Sequence, residues 1–127
     1  MGWFKDLWDG KAKEAETGFA QVTDQSFAEL VLTAEKPVLL FLWSGTCPYC
    51  RKMVPNVKNV LQRNRERIVG VHANATEVPA VAEALDLRGV PATVFFLKGK
   101  VVEHLAGFVP EERLEQAIEK LLQVQAP

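Results

Sequence analysis

The stretch "PVLLFLWSGTCPYCRKMVP" (37–55) decides how the rest of the chain reads, because three signals meet in it. PVLLFLW (37–43) is continuously apolar instead of alternating, the pattern of a strand buried on both faces. Cys47 and Cys50, the chain's two cysteines, follow at i and i+3. From Pro48 to about Arg65, apolar residues recur at Met53, Val54, Val57, Val60 and Leu61, a helical period. A buried strand therefore feeds straight into a helix whose first turn carries a thiol pair. The spacing puts both cysteines on one helix face, with Cα atoms in the roughly 5–6 Å range that a disulfide wants. Pro48 suits the first helical position and Cys47 falls near the N-cap. Unpaired backbone N–H groups and the helix dipole at that end favour negative charge, so Cys47 should ionise more readily than a free thiol. Cys50, one turn further in, should be more protected. A division of labour follows in which Cys47 attacks a substrate disulfide and Cys50 resolves the mixed disulfide.

Outward from this stretch, strand and helix signals alternate. FAQV (19–22) reads as a short strand, and TDQSFAELVLTA (23–34) as a helix with Thr23 as N-cap and Phe27, Leu30 and Val31 at helical spacing. RIVGVHA (67–73) is a strand and EVPAVAEALDL (77–87) a helix. ATVFFLKGKVVEHLAG (92–107) reads as a hairpin turning at Lys98-Gly99-Lys100. A last helix runs from Pro110 to about Gln123, with Leu114, Ala117, Ile118, Leu121 and Leu122 on one face. The order βαβαβαββα implies an α/β sandwich, a central mixed sheet with helices on both sides.

The chain divides into an N-terminal unit, 1–18, and a domain at 19–127. Trp3, Phe4, Leu7 and Trp8 share the apolar face of a short amphipathic helix that Gly10 ends, and the charged KAKEAE (11–16) links it to the body. That face is expected to dock on the domain's own surface or on a partner. A membrane anchor ranks last, because Lys5, Asp6 and Asp9 give a mixed polar face instead of a strongly basic one.

The totals narrow the function classes. At 127 residues the chain is long enough for one substantial core, and 48 % hydrophobic with 24 % charged residues is ordinary for a globular protein. Fifteen basic against sixteen acidic residues argue against a nucleic-acid surface, which needs a clustered basic excess. The longest apolar run, Val38 to Trp43, is too short to cross a bilayer, and no apolar signal core marks the N-terminus for export. The expected location is therefore cytoplasmic. There a close cysteine pair is more often catalytic or metal-binding than a structural staple. Tetrahedral zinc needs four ligands, and beyond the cysteines the chain offers His72 and His104, which read as packing or surface residues of strands. A c-type haem needs His after the second Cys, where Arg51 stands. Spacing alone favours a redox pair and leaves structural or metal-linked thiols open.

With these residues in view, the chain resembles the thioredoxin family over about Phe19 to Val124. The resemblance is carried by Trp43 four residues before the first Cys, the CxxC at 47–50, Pro55 five residues after the second, RGVPATVFF (88–96), Gly99 and Gly107. It implies the thioredoxin fold and thiol–disulfide exchange on protein disulfides through the Cys47–Cys50 couple, with no bound cofactor. A reductase or a low-molecular-weight thiol would recycle the pair. It further implies a cis Pro91 beside the cysteines and a substrate groove formed by Trp43, Thr46, Pro48, Tyr49, Val90, Pro91 and Gly107. Trp43 and Tyr49 would flank that groove, and backbone groups of Val90 would pair with an extended substrate segment.

The departures carry expectations of their own. Thr46 stands where thioredoxins usually have Trp, Phe41 where they bury an Asp, and Gly70 where a Lys neighbours that Asp. Loss of this proton relay implies slower resolution by Cys50. The central dipeptide Pro48-Tyr49 is the one typical of glutaredoxins and points to a more oxidising couple than a standard thioredoxin. The glutathione-holding stretch of many glutaredoxins has no match, since LAGFVPEE (105–112) stands near that place. Two alternatives remain beside the oxidoreductase. One is a partner-binding module that docks through the N-terminal helix with redox incidental; the other is a CPYC-type iron–sulfur carrier holding its cluster between two subunits.

Overall fold

The computed structural model describes residues 19–125, so the expectations for Trp3, Phe4, Leu7 and Trp8 and for the 1–18 unit lie outside the described residues. Strands β1 (Phe19–Gln21), β2 (Val38–Trp43), β3 (Val69–Asn74), β4 (Ala92–Leu97) and β5 (Lys100–Ala106) form one sheet in the order β1-β3-β2-β4-β5. β2 runs parallel to β3 and antiparallel to β4; β1 is parallel to β3, and β5 is antiparallel to β4. The mixed sheet inferred from the order of elements is present.

β2 explains its own unbroken apolar run. All of its residues are buried, with Leu39, Phe41 and Trp43 entering one core and Val38, Leu40 and Leu42 the other. Each such side chain, fully buried, contributes about 1.5–3 kcal/mol. The first core is closed by helix α1 (Pro48–Arg63) and helix α3 (Glu111–Gln125). The second core is closed by helix α2 (Pro79–Ala84) and by a π-helical turn at Ala28–Leu32.

The buried stripe of α1 is Cys50, Met53, Val54, Val57, Val60 and Leu61, the periodic residues of the sequence with Cys50 added at the N-terminal end. Pro55 sits inside α1 on its exposed side, where it lacks the N–H that would reach back to the Arg51 carbonyl. Leu114, Ala117, Ile118 and Leu121 of α3 pack into the same core. Polar contacts join the two helices along their outer edge. Asn56 Nδ2 donates to the Val109 carbonyl at 3.2 Å, and Asn59 Nδ2 to Glu111 Oε1 at 2.9 Å. Arg63 bridges Glu111 at 3.3 Å and Glu115 at 3.0 Å. Ion pairs this exposed contribute at most about 1 kcal/mol each, so the apolar stripes dominate. Leu61 of α1 lies directly over Gly70 of the sheet: a methyl group added there would overlap both δ-carbons of Leu61.

Three elements differ from their sequence expectation. Thr23 does cap the turn after β1, its Oγ1 accepting the Ser26 N–H at 3.1 Å. The segment then widens into the π-helical turn, with Thr33 N–H reaching the Ala28 carbonyl at 3.0 Å, instead of forming a regular helix. Val31 is the buried residue of that turn, Phe27, Leu30 and Ala34 pack partly buried against the same core, and Phe27 meets Phe96 edge-on at 5.8 Å. The 77–87 helix is shorter and splits into a 3₁₀ turn, Ala75–Glu77, and α2. Asp86, at φ 52°, stops α2, and the Asp24 carboxylate caps it from across the fold by accepting the Ala80 and Val81 N–H groups, each at 3.2 Å. α3 begins at Glu111, with Pro110 just ahead of it.

Candidate active site

β2 ends at Trp43, and a short turn closed by the Cys47 N–H to the Ser44 carbonyl at 3.4 Å leads into α1. Cys47 is extended, φ −96° and ψ 107°, and is the N-cap of α1, with Pro48 opening the helix. Its Sγ accepts the backbone N–H of Cys50 at 3.1 Å. Cys47 and Cys50 are joined as a disulfide, with Cα atoms 5.3 Å apart, inside the range set by their i, i+3 spacing. The two sulfurs differ in environment. Cys47 is half-buried at the surface, while Cys50 has 0 % exposure and lies in the core with Trp43, Phe41 and Met53.

A second segment, Val90 to Gly107, lies far from the cysteines in sequence. The Val90–Pro91 bond is cis, and Val90 and Cys47 both pack at the margin of the core that contains Cys50. Gly107 closes β5 at φ +76°, a conformation that favours glycine, and its N–H donates to the Pro91 carbonyl at 2.8 Å. Thr46, Pro48 and Tyr49 are exposed, with Lys52 Nζ 5.6 Å from the centre of the Tyr49 ring. Val90 and Gly107 are half-buried and Pro91 is buried. Trp43 differs from its expected place as a flank: at 4 % exposure it backs the site from inside and forms no part of an open rim.

The residue beside Phe41 also differs from expectation. Gly70 pairs with Leu39 and Phe19, whereas the register sets His72 opposite Phe41. His72, Phe41, Thr93 and Leu105 form a row across β3, β2, β4 and β5, and all four are buried. Trp43 Nε1 donates to His72 Nδ1 at 3.2 Å, with the ring centres 6.2 Å apart. Burial lowers the His72 pKa to about 4, so the imidazole is neutral at physiological pH. Thr93 Oγ1, in the same row, has no hydrogen-bond partner among the described residues.

Two residues near these motifs in the chain or the sheet had no signature in the sequence. His72 reads from its strand as a packing residue, and its bonding to Trp43 joins positions 29 residues apart. Phe108, 45 % exposed, follows Gly107, whose N–H bonds to the Pro91 carbonyl, and is part of no motif. His104 is exposed on β5. Among the described residues there is no group of three or more His, Cys, Asp or Glu side chains that could hold a metal ion. Among the same residues, no helix is long and apolar enough to cross a membrane.

Comparison with known proteins agrees with this geometry. The family model for thioredoxin matches residues 18–120. Thioredoxin 1 from Nostoc sp. is 37 % identical over 103 residues, 81 % of this chain and 96 % of that protein. A thioredoxin from Synechocystis sp. is 35 % identical over 102 residues, 80 % of this chain and 95 % of that protein. The chloroplastic M-type thioredoxin of Spinacia oleracea is 32 % identical over 112 residues, 88 % of this chain and 62 % of that longer protein. With a disulfide-linked CxxC pair at a helix N-terminus, a family model matching residues 18–120 and two cyanobacterial thioredoxins matched along nearly their whole length, the chain belongs to the thioredoxin family of thiol–disulfide oxidoreductases.

Proposed function

We propose that Cys47 is the attacking thiol and Cys50 the resolving thiol of a couple that reduces protein disulfides. The observation that carries this assignment is the asymmetry of the pair: Cys47 Sγ, at the half-buried N-cap, receives an amide N–H, and Cys50 is closed off in the core. In the reduced protein the Cys47 thiolate attacks one sulfur of a substrate disulfide. A mixed disulfide forms and the substrate's other sulfur leaves as a thiolate that takes up a proton. The Cys50 thiolate then attacks Cys47 Sγ, which forms the Cys47–Cys50 disulfide and releases the second substrate thiolate. Two electrons and two protons pass from the dithiol to the substrate, and a reductase or a low-molecular-weight thiol must return them.

Residues 19–127 act as the working domain on this reading. Thr46, Pro48, Tyr49, Val90, Pro91 and Gly107 form the substrate groove, Phe108 extends its rim and Trp43 supports it from behind. Val90 supplies the backbone groups for an extended substrate segment. We place the reaction in a cytoplasmic compartment, where reducing conditions keep the pair as a dithiol between turnovers.

The test is covalent trapping combined with redox equilibration. Cys50→Ser should accumulate mixed disulfides with substrate proteins, and Cys47→Ser should not. Equilibration against glutathione, read by alkylation and mass spectrometry, should give a cooperative two-electron couple more positive than the thioredoxin value of about −270 mV, as the Pro48-Tyr49 dipeptide implies. Trapping by Cys47→Ser alone would reverse the roles, and failure of any intramolecular disulfide to form would remove the reading.

A further inference from the structure

We infer that His72 is a positioning residue of the thiol–disulfide reaction: its Nδ1 accepts the Trp43 indole N–H and so fixes the end of β2 from which the Cys47–Cys50 turn springs. The inference rests on the Cys47–Cys50 reading above and adds a residue that neither the motif nor the family match assigns.

Trp43 is the last residue of β2, and the turn that carries Cys47 starts at the next position and closes on the Ser44 carbonyl. The indole therefore sits at the root of the redox turn, in the same core as Cys50 and with Cys47 packed at its margin. A buried indole N–H needs an acceptor, and a neutral imidazole has one acceptor nitrogen. His72, 3 % exposed, provides it at 3.2 Å. The strand register makes the bond possible. Trp43 pairs with Asn74 and Phe41 with His72 across parallel β2 and β3, so His72 lies one pleat back on the same face as the indole. Phe19 packs edge-on to the imidazole from β1, with ring centres 6.2 Å apart.

This bond also defines what His72 does not do. With Nδ1 occupied by the Trp43 donor, the proton of the neutral ring is on Nε2. Taking up a further proton would require Nδ1 to release Trp43. His72 therefore acts through Trp43 and not as the base for Cys50.

The test uses the full chain. In the wild-type protein, the ¹⁵N shifts of His72 should show the Nε2–H tautomer, and the Trp43 indole N–H should exchange slowly. His72→Leu, which removes the acceptor, should shift the Trp43 indole resonance and lower kcat/KM for insulin disulfides by about tenfold or more. His72→Asn, which keeps an acceptor near the Nδ1 position, should restore both readouts. An Nδ1–H tautomer in the wild-type protein would overturn the inference without any variant. So would a folded His72→Leu with wild-type rate and indole resonance, or a folded His72→Asn as impaired as His72→Leu. Wild-type protein that forms no Cys47–Cys50 disulfide would instead bring down the reading beneath, a separate and recognisable result.

Discussion

The Cys50 backbone N–H points at Cys47 Sγ from 3.1 Å, so the helix that buries one cysteine also supplies the donor that holds the other. The same bond is available to a Cys47 thiolate after reduction, and it is stronger when the acceptor is charged. Cys50 lies inside the core, where its sulfur is shielded from solvent. Reduced protein should therefore react with iodoacetamide at Cys47 at least about tenfold faster than at Cys50 near neutral pH. Quenched alkylation followed by peptide mass spectrometry gives both rates in one experiment. Equal rates at the two positions would contradict the asymmetry on which the assignment of roles depends.

His72 should make the fold sensitive to acid. Its pKa is lowered by burial to about 4 from the ordinary 6.5. In the unfolded chain the imidazole takes up a proton as pH falls through the ordinary value, while in the folded protein it stays neutral until about pH 4. The unfolded state then binds more protons, so stability falls as pH decreases across that window. The loss is about 2 kcal/mol by pH 5 and about 3 kcal/mol well below pH 4, and is absent above about pH 7.5. Urea unfolding of the wild type and of His72→Asn at pH 8, 6 and 5 isolates this contribution, because the carboxylates are common to both. Parallel stability–pH curves for the two proteins would show that His72 does not carry the effect.

The two cases differ in how far the sequence could anticipate them. The thiol pair, its helix and the strand before it are local patterns, since an unbroken apolar run, a proline after Cys47 and a helical stripe each act within a few residues. They were legible for that reason. The His72–Trp43 bond depends on the register of β2 against β3, which no neighbouring residue encodes, so the sequence alone points to Gly70 beside Phe41 where the register sets His72. The bond between Gly107 and Pro91, which precedes Phe108, is again a long-range contact. Trp43 shows the converse, since a motif identified the residue but not that the strand's pleat turns its ring inward. At Ala28–Leu32 the apolar spacing predicts a regular helix and the chain forms a π-helical turn, because a short apolar period does not say how tightly the backbone winds.

Phe108 and Tyr49 are two exposed aromatic rings, 45 % and 58 % exposed, on different segments, and the proposed groove takes in both. Neither supports the core, so removing them should leave the fold unchanged. Phe108→Ala should raise KM for a protein disulfide by about fivefold or more, the loss typical of truncating an aromatic anchor, with kcat nearly constant. Reduction of a small soluble disulfide should proceed as in the wild type, because such a substrate does not extend to the rim. Comparable effects on both substrates would locate the defect at the cysteines and remove Phe108 from the groove.

The row His72, Phe41, Thr93 and Leu105 bears on how fast the mixed disulfide resolves. Phe41 has 0 % exposure at its centre, and the row holds a neutral imidazole and a hydroxyl but no carboxylate. His72 is engaged by Trp43, so within the row no group is ready to take the proton that Cys50 must lose before it attacks. On the proposed assignment that proton passes to water or hydroxide, which makes the step depend on pH. In a single-turnover stopped-flow experiment, formation of the mixed disulfide should be fast. Its resolution by Cys50 should be slower than in thioredoxins that carry the buried Asp, and should accelerate about tenfold per pH unit between pH 6 and 8, as expected when the reactive thiolate is a small and rising fraction. Resolution that is already fast at pH 6 and flat with pH would mean that another group accepts the proton. The next candidate would then be the Thr93 hydroxyl acting through a bound water, and Thr93→Val would show whether it does.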